Sequence, residues 1–298
     1  MSHSNSTKAV VFALLGNVFI SLIKYVAAFF TLSASMLAEA IHSTADCLNQ
    51  VFLLIGGQRA KKENDELHPF GYGREEFFWG FMVAILLFFG GAIFSIYEGI
   101  HKLTEPHVIE HVGWAIAVLG ISMIIEGKTF FIALKQLKEN SKGNVVKAIK
   151  DSVDTNLIVI ILEDSAALLG LGIAFICTLL SLYNPIFDAI GSILIGIILS
   201  FVSYSLVNEL RKLIIGESMP REDRNGIKQI INTFPDVTHV NRIQTMAMGR
   251  NKYLVLISIN VNDFLRGHKV EDMVENIKED IIKEFDNVGT IYVEISDK

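Results

Sequence analysis

MLAEAIHSTADCLNQ, residues Met36 to Gln50, sets ionisable side chains inside a run otherwise apolar enough for a membrane. In a helix, Glu39, His42 and Asp46 fall three and four residues apart and line one stripe. A carboxylate or imidazole at membrane depth is costly and normally faces a wet cavity or a partner. The stripe is therefore a candidate cation site, the alternative being a polar contact between packed helices.

The chain around this stretch is membrane-like. It has 298 residues, 51% of them hydrophobic, and a mean hydropathy of +0.44, too apolar for a soluble domain of this length. Apolar residues concentrate in the first part and mixed charge follows, so a transmembrane domain over 1–215 and a cytoplasmic domain over 216–298 are expected. The net charge of -6, with scattered basic residues, argues against a nucleic-acid partner. Cys47 and Cys177 both lie in apolar segments, which makes a disulfide framework improbable. The opening MSHSNSTK lacks a basic segment leading into a short apolar core and cleavage site, so the first apolar run is expected to stay as a span.

Six spans are read: 9–32, interrupted by Asn17 and Lys24; 36–57; 77–100; 112–134, carrying Glu126 and Lys128; a longer helix over 146–182; and 186–207. Lysine and arginine gather after the second, fourth and sixth spans and are absent after the first and fifth, which puts both termini in the cytoplasm. His101, His107 and His111, after the third span, are read as solvated loop residues rather than cation collectors. Asp188 is read as a residue at a helix N-terminus rather than a ligand.

The tail changes character. Helical period over 221–234, alternation over 238–246 and 252–261, an amphipathic helix over 270–285 and a last strand over 290–295 give the order αββαβ. A three-stranded sheet with both helices on one face leaves a face or an edge to cover, so a homodimer is expected.

A second acidic group at membrane depth lies in VIILEDSAALLG, where Glu163 and Asp164 interrupt the fifth span. At about 1.5 Å per residue, Asp46 lies on the order of 20 Å from the outer end of its helix and Asp164 about 27 Å from its own. Helix tilt absorbs the difference.

With these residues together, the chain resembles the cation diffusion facilitator family. The resemblance is carried by His42-x-x-x-Asp46, the HPFGYGRE loop from His68 to Glu75, Asp164, the DAIGS run opening at Asp188, and the αββαβ tail. The Glu163–Asp164 pair is similar to the branch that includes the vertebrate zinc transporter family's ninth member. The resemblance implies a polytopic α-helical membrane protein of six transmembrane helices with a C-terminal α+β, ferredoxin-like cytoplasmic domain. It implies a divalent-cation efflux carrier, zinc exchanged for protons, with its site between the second and fifth helices.

Family members typically carry His-x-x-x-Asp on the fifth helix, and here Ile160 stands at the histidine position. Glu163 or water would complete a shell made by His42, Asp46 and Asp164, with Glu39 behind it. Asp65 and His68 match a further loop site whose second histidine is here Tyr72. In the tail, His268 matches one ligand position, Asn241 and Ser258 stand where histidines would be, and Glu294 lies near another. The tail is thus expected to hold the dimer without a tight two-metal site.

Mixed nitrogen and oxygen ligands suit Zn²⁺ as cargo, with Mn²⁺, Fe²⁺ and Co²⁺ as alternatives. Protons compete for the same groups, a natural basis for antiport. Neither a resident cofactor nor an enzymatic activity is expected; the partners are the metal ion, protons, the lipid bilayer and a second copy, in a bacterial inner membrane. The competing reading is a membrane metal sensor or transport-inactive scaffold of the same fold. An intramembrane hydrolase would need a catalytic motif that the sequence does not offer.

Overall fold

The computed structural model describes residues 3–105, 109–140, 155–249 and 252–297. Among the described residues, six long helices come first: α1 (His3–Thr31), α2 (Ala34–Arg59), α3 (Glu75–Thr104), α4 (Val112–Asn140), α5 (Thr155–Leu180) and α6 (Ile186–Ile215). A smaller set follows: α7 (Arg221–Ile231), β1 (Val237–Gly249), β2 (Lys252–Val261), α8 (Gly267–Glu284) and β3 (Val288–Ile295). The chain forms two compact units, one of residues 1–56 and 79–210, the other of 57–78 and 211–298. The expected start of the fifth helix, over 146–154, lies outside the described residues.

Among the described residues, five helices are long and apolar enough to cross a membrane by length and composition: Leu14–Thr31, Glu75–Thr104, Val112–Ile132, Glu163–Leu180 and Ile186–Ile215. The sixth expected span, α2, falls short on composition rather than length, because Glu39, His42, Asp46, Asn49 and Gln50 lie along it. Its polar stripe is turned inward, with Glu39, His42, Ser43 and Asn49 buried. The outward faces of the other helices carry exposed Phe19, Phe29, Phe89, Ile124, Phe131, Leu169 and Phe201, an apolar belt suited to lipid rather than water.

The helical core is built largely of small residues, among them Ala27, Ala38, Ala84, Ala92, Ala115, Ala166 and Ala174, with Leu119, Leu171 and Leu199 filling between them. Small side chains let helices approach where hydrophobicity alone gives no drive to associate. The α3–α6 crossing is the tightest example. A Cβ on Gly196 would stand 2.8 Å from the Ala92 carbonyl oxygen, and one on Gly99 would stand 2.8 Å from that of Ala189. Ser192 and Ser203 on α6 donate to the Ser95 and Ala84 carbonyls of α3 at 2.7 and 2.6 Å. Between them α3 takes a π-helical turn over Leu87–Ile93, at the Gly90–Gly91 pair.

Asp188 fixes where α2 begins. It is fully buried in the first turn of α6. Its carboxylate accepts the backbone N–H of Ala34 at 2.6 Å and of Ser35 at 3.2 Å, and the Ser33 hydroxyl at 2.7 Å. The Ser35 hydroxyl donates to it as well. It therefore caps a neighbouring helix, satisfying amides that a helix N-terminus leaves free. Lys102 of α3 completes the group, donating to Asp188 at 2.7 Å and to the Leu32 carbonyl. The expectation that Asp188 serves a helix N-terminus holds, but the helix is α2.

In the second unit, β1 and β2 pair antiparallel and β2 and β3 parallel, in the order β1-β2-β3. Val255, Ile257 and Ile259 of β2, Ile227 and Ile231 of α7, and Met273, Ile277 and Ile281 of α8 are all buried, at the period-2 and period-3.6 spacings that each element requires, and α7 packs on β1 and on α8, and α8 on β3. The opposite face is open: Arg242, Gln244, Leu256, Tyr292 and Glu294 line a groove of about 230 Å³ there. Residues 57–78 pack within this unit, where Gly73 lies so close to the end of β1 that an added Cβ would stand 2.3 Å from the Met248 carbonyl oxygen. The αββαβ order expected of the tail is the order found.

Replacing Asp188 by alanine leaves the Lys102 ammonium buried without a counter-charge and frees the first amides of α2. We expect a loss of about 3–5 kcal/mol, read as thermal unfolding of the purified chain. Adding Lys102→Met should recover part of that loss.

Candidate metal centre

The stripe on α2 faces α5. Asp46 is twelve residues from the start of α2, about 18 Å, and Asp164 is sixteen from the end of α5, about 24 Å, so the two acidic groups lie at comparable levels. The Asp46 and Glu163 carboxyl groups lie near enough to act on each other. Two carboxyl groups approach so closely only when a proton or a cation compensates their charge. Asn49, one turn below Asp46, donates its side-chain amide to Glu163 Oε2. His42 Nδ1 stands 3.8 Å from Asp46 Oδ1, too long for a hydrogen bond.

What these groups lack is as informative. Both ring nitrogens of His42, Asp46 Oδ1, Glu163 Oε1, Asn49 Oδ1 and Gln50 Oε1 are buried with no hydrogen-bond partner. Buried polar atoms are nearly always paired, so this concentration of free lone pairs suits a cation or its water. Asp164, next in sequence to Glu163, is only half-buried. Among the described residues, no three His, Cys, Asp or Glu side chains stand close enough together to hold one metal ion. The structure thus brings Asp46 and Glu163 together, leaves His42 just short of Asp46, and does not draw these with Asp164 into one ligand shell.

Glu39 belongs to a different group. Its Oε2 pairs with Lys24 Nζ at 3.3 Å, and the same ammonium donates to Ser43 Oγ at 2.7 Å and Glu126 Oε1 at 3.0 Å. Lys24 and Glu39 are fully buried. Sequence reading treats Lys24 only as an interruption of α1 and gives Asn49 no role. The signal available was a lysine in mid-span, which demands a carboxylate partner, but the partners are 15 and 102 residues away. Cys47 and Cys177 are buried and free.

The two weaker sites are otherwise engaged. Asp65 Oδ2 accepts the Tyr72 hydroxyl at 2.6 Å and the Lys62 ammonium at 3.1 Å, while Asp65 Oδ1 accepts the backbone N–H of His68 at 2.8 Å. The Lys62 ammonium thus sits where a cation would. The Tyr72 hydroxyl first, then Lys62, hold the Asp65 carboxyl well below the usual carboxylate range. Asn241 donates to the Ser296 carbonyl at 2.7 Å, and Ser258 pairs in register with Glu294. His268, in the first turn of α8, lines a cavity of about 320 Å³ with Arg266 and Lys269, a cationic surrounding. Of the loop histidines, His101 stacks on Tyr97 and His111 offers its carbonyl to the Trp114 amide at 2.8 Å, whereas His107 lies outside the described residues.

Tyr72→Phe removes the hydroxyl that most favours ionised Asp65. The Asp65 titration, followed by carboxyl-carbon NMR, should move up toward the ordinary aspartate value of about 3.9.

Comparison with known proteins follows the same division of the chain. The family profile described as "Cation efflux transmembrane domain" matches residues 10–215, and that described as "Cation efflux protein, cytoplasmic domain" matches residues 219–297. The chain is 29% identical to the human "Proton-coupled zinc antiporter SLC30A9, mitochondrial" over 86% of its own length and 47% of that protein. It is 28% identical to "Metal tolerance protein C4" of Arabidopsis thaliana, over 88% of this chain and 58% of the other. "Cation-efflux pump FieF" of Serratia proteamaculans is 22% identical over 89% of this chain and 84% of the pump. The chain spans about half the length of the human relative and somewhat more of the plant one.

Proposed function

From the premise that this chain belongs to the cation efflux, or cation diffusion facilitator, family of multi-pass membrane transporters, we propose that it is a divalent transition-metal efflux carrier that exchanges zinc for protons. Transport, not catalysis, is the family's business, and the relatives named above include a zinc antiporter and a cation-efflux pump.

The observation that carries the reading is the meeting of Asp46 on α2 with Glu163 on α5, ringed by buried lone pairs on His42, Asn49 and Gln50. Carboxylate and imidazole ligands suit Zn²⁺, with Mn²⁺, Fe²⁺ and Co²⁺ as the other candidates. Asp46, Glu163, His42 and Asp164 form the transport site, drawn closer by the ion than they stand without it. Glu163 takes the place that Ile160 leaves empty, an assignment supported by the approach of its carboxyl group to that of Asp46. Metal and protons compete for the same oxygens and nitrogens, so loading on one side releases protons and unloading on the other takes them up. Rocking of the helices about the fixed site alternates its access.

Both termini lie in the cytoplasm and the membrane is a bacterial inner membrane, the first supported by the lysine and arginine asymmetry of the loops. The tail dimerises through its open sheet face, which presents Leu256 and Tyr292 about half exposed. Asp65–His68 and His268 are weak metal positions, and the internal Lys62 contact disfavours the first.

The sensor or transport-inactive scaffold keeps one supporting observation: among the described residues, no three metal-ligating side chains converge. Flux separates the two readings. In proteoliposomes carrying a zinc-sensitive dye and a pH gradient, the native chain should move zinc and dissipate the gradient. Asp46→Ala should reduce that flux on the order of 100-fold or more, since even the loss of a residue that merely orients a ligand costs about 10–100-fold. Zinc binding without flux of zinc, manganese, iron or cobalt would leave the sensor.

A further inference from the structure

The carrier reading leaves Lys24 without a task, and its surroundings are those of a cation site already filled. The ammonium, on α1, is held by Glu39 Oε2 and Ser43 Oγ of α2 and by Glu126 Oε1 of α4, at 3.3, 2.7 and 3.0 Å. Two carboxylates and a hydroxyl thus converge on one buried point. The second oxygens, Glu39 Oε1 and Glu126 Oε2, are buried with no hydrogen-bond partner. Glu39 Oε1 reaches toward α5 through a gap in the wall: a Cβ on Gly170 would stand 2.5 Å from it. With the ammonium gone, the three oxygens would have to close by only about 1 Å to meet a divalent ion at the 2.0–2.6 Å that zinc or larger cations take.

We propose that Lys24 is a tethered counter-cation that occupies this position, excludes a second divalent ion from Glu39 and Glu126, and so confines the cargo to the neighbouring Asp46–Glu163 region. Charge decides the matter. The two carboxylates carry two negative charges, the complement of a divalent ion, and the ammonium removes one of them. Uncompensated, such a pair so close to the transport groups would be a trap on the cargo's route. Lys24 is thereby a specificity residue, setting how many ions the bundle holds. A lysine present only to pack helices would affect stability and leave ion stoichiometry alone.

Equilibrium dialysis of the full chain in detergent, with Zn²⁺ and Mn²⁺ and metal counted by mass spectrometry, tests this. Lys24→Met should bind one more divalent ion per chain than the native protein; adding Glu39→Gln and Glu126→Gln should abolish the extra ion, and Lys24→Arg should not gain it. Native stoichiometry in Lys24→Met overturns the proposal. Should Lys24→Met fold poorly, its thermal midpoint must rise more with added Zn²⁺ than the native chain's does, and an equal rise overturns it as well. The inference rests on the carrier reading for its consequence in transport, but the two fail separately. A native chain that transports while Lys24→Met gains no ion sinks this inference alone. A native chain that binds no metal while Lys24→Met binds one sinks the carrier reading alone.

Discussion

The structure of the helical unit depends on how charge is compensated away from water. Moving an ion into a low-dielectric interior costs several kcal/mol even after relaxation, and the cost is met only by close partners. The second helix carries Glu39, His42, Asp46 and Asn49 on the face it turns inward, more polarity than an isolated span tolerates. Lys24, reaching in from α1, pairs with Glu39 at 3.3 Å and with Glu126 of α4 at 3.0 Å, so one ammonium is shared by two carboxylates at its upper end. Lower down, Asn49 of α2 engages Glu163 of α5. The five more apolar helices can then enclose the polar one, turning their phenylalanine and isoleucine residues outward.

A second polar device sets the axial position of that helix. Because Asp188 binds the amides of Ala34 and Ser35 and is itself neutralised by Lys102, the start of α2 is locked to α6 and α3. The register matters for the site. A slip of one helical turn, about 5.4 Å, would carry Asp46 past Glu163 and leave Glu39 without the Lys24 ammonium. Close crossings at Gly99 and Gly196 hold α3 and α6 against each other, so that the cap has a firm base.

Much of this was legible in the sequence, because it rests on local pattern. The αββαβ tail follows from alternation and helical period; β2 begins and ends where alternation places it, and the other elements shift by a few residues at their ends. The stripe on α2 was equally plain, since spacing of three and four residues needs no knowledge of any other helix. What escaped is what depends on contacts far along the chain. Lys24 meets Glu126 across 102 residues, and Asp188 caps a helix that starts 154 residues earlier. A carboxylate at a helix start reads as serving its own helix, because the sequence does not reveal that a neighbour's first turn lies nearer. The π-helical turn in α3 had a visible cue in Gly90–Gly91, but a glycine pair in a membrane helix is as often a packing contact.

The weak loop site and the Lys24 group obey one rule. At Asp65, the Lys62 ammonium and Tyr72 hydroxyl occupy the carboxylate; at Glu39 and Glu126, the Lys24 ammonium does. In each place a carboxylate that could attract a metal ion is given a cation from the chain itself, at the entropic cost of ordering one lysine. The tail reaches the same end by other means, with Asn241 turned to a backbone carbonyl and His268 set between Arg266 and Lys269. Asp46, Glu163 and Asp164 are treated differently: among the described residues none of the three has a lysine or arginine within ion-pair distance. On the reading proposed above, this leaves their carboxyl groups to the cargo ion and to the protons that compete with it. A carrier of the proposed kind needs cations admitted at one place and kept out elsewhere, and the distribution of lysine side chains in this chain suits both.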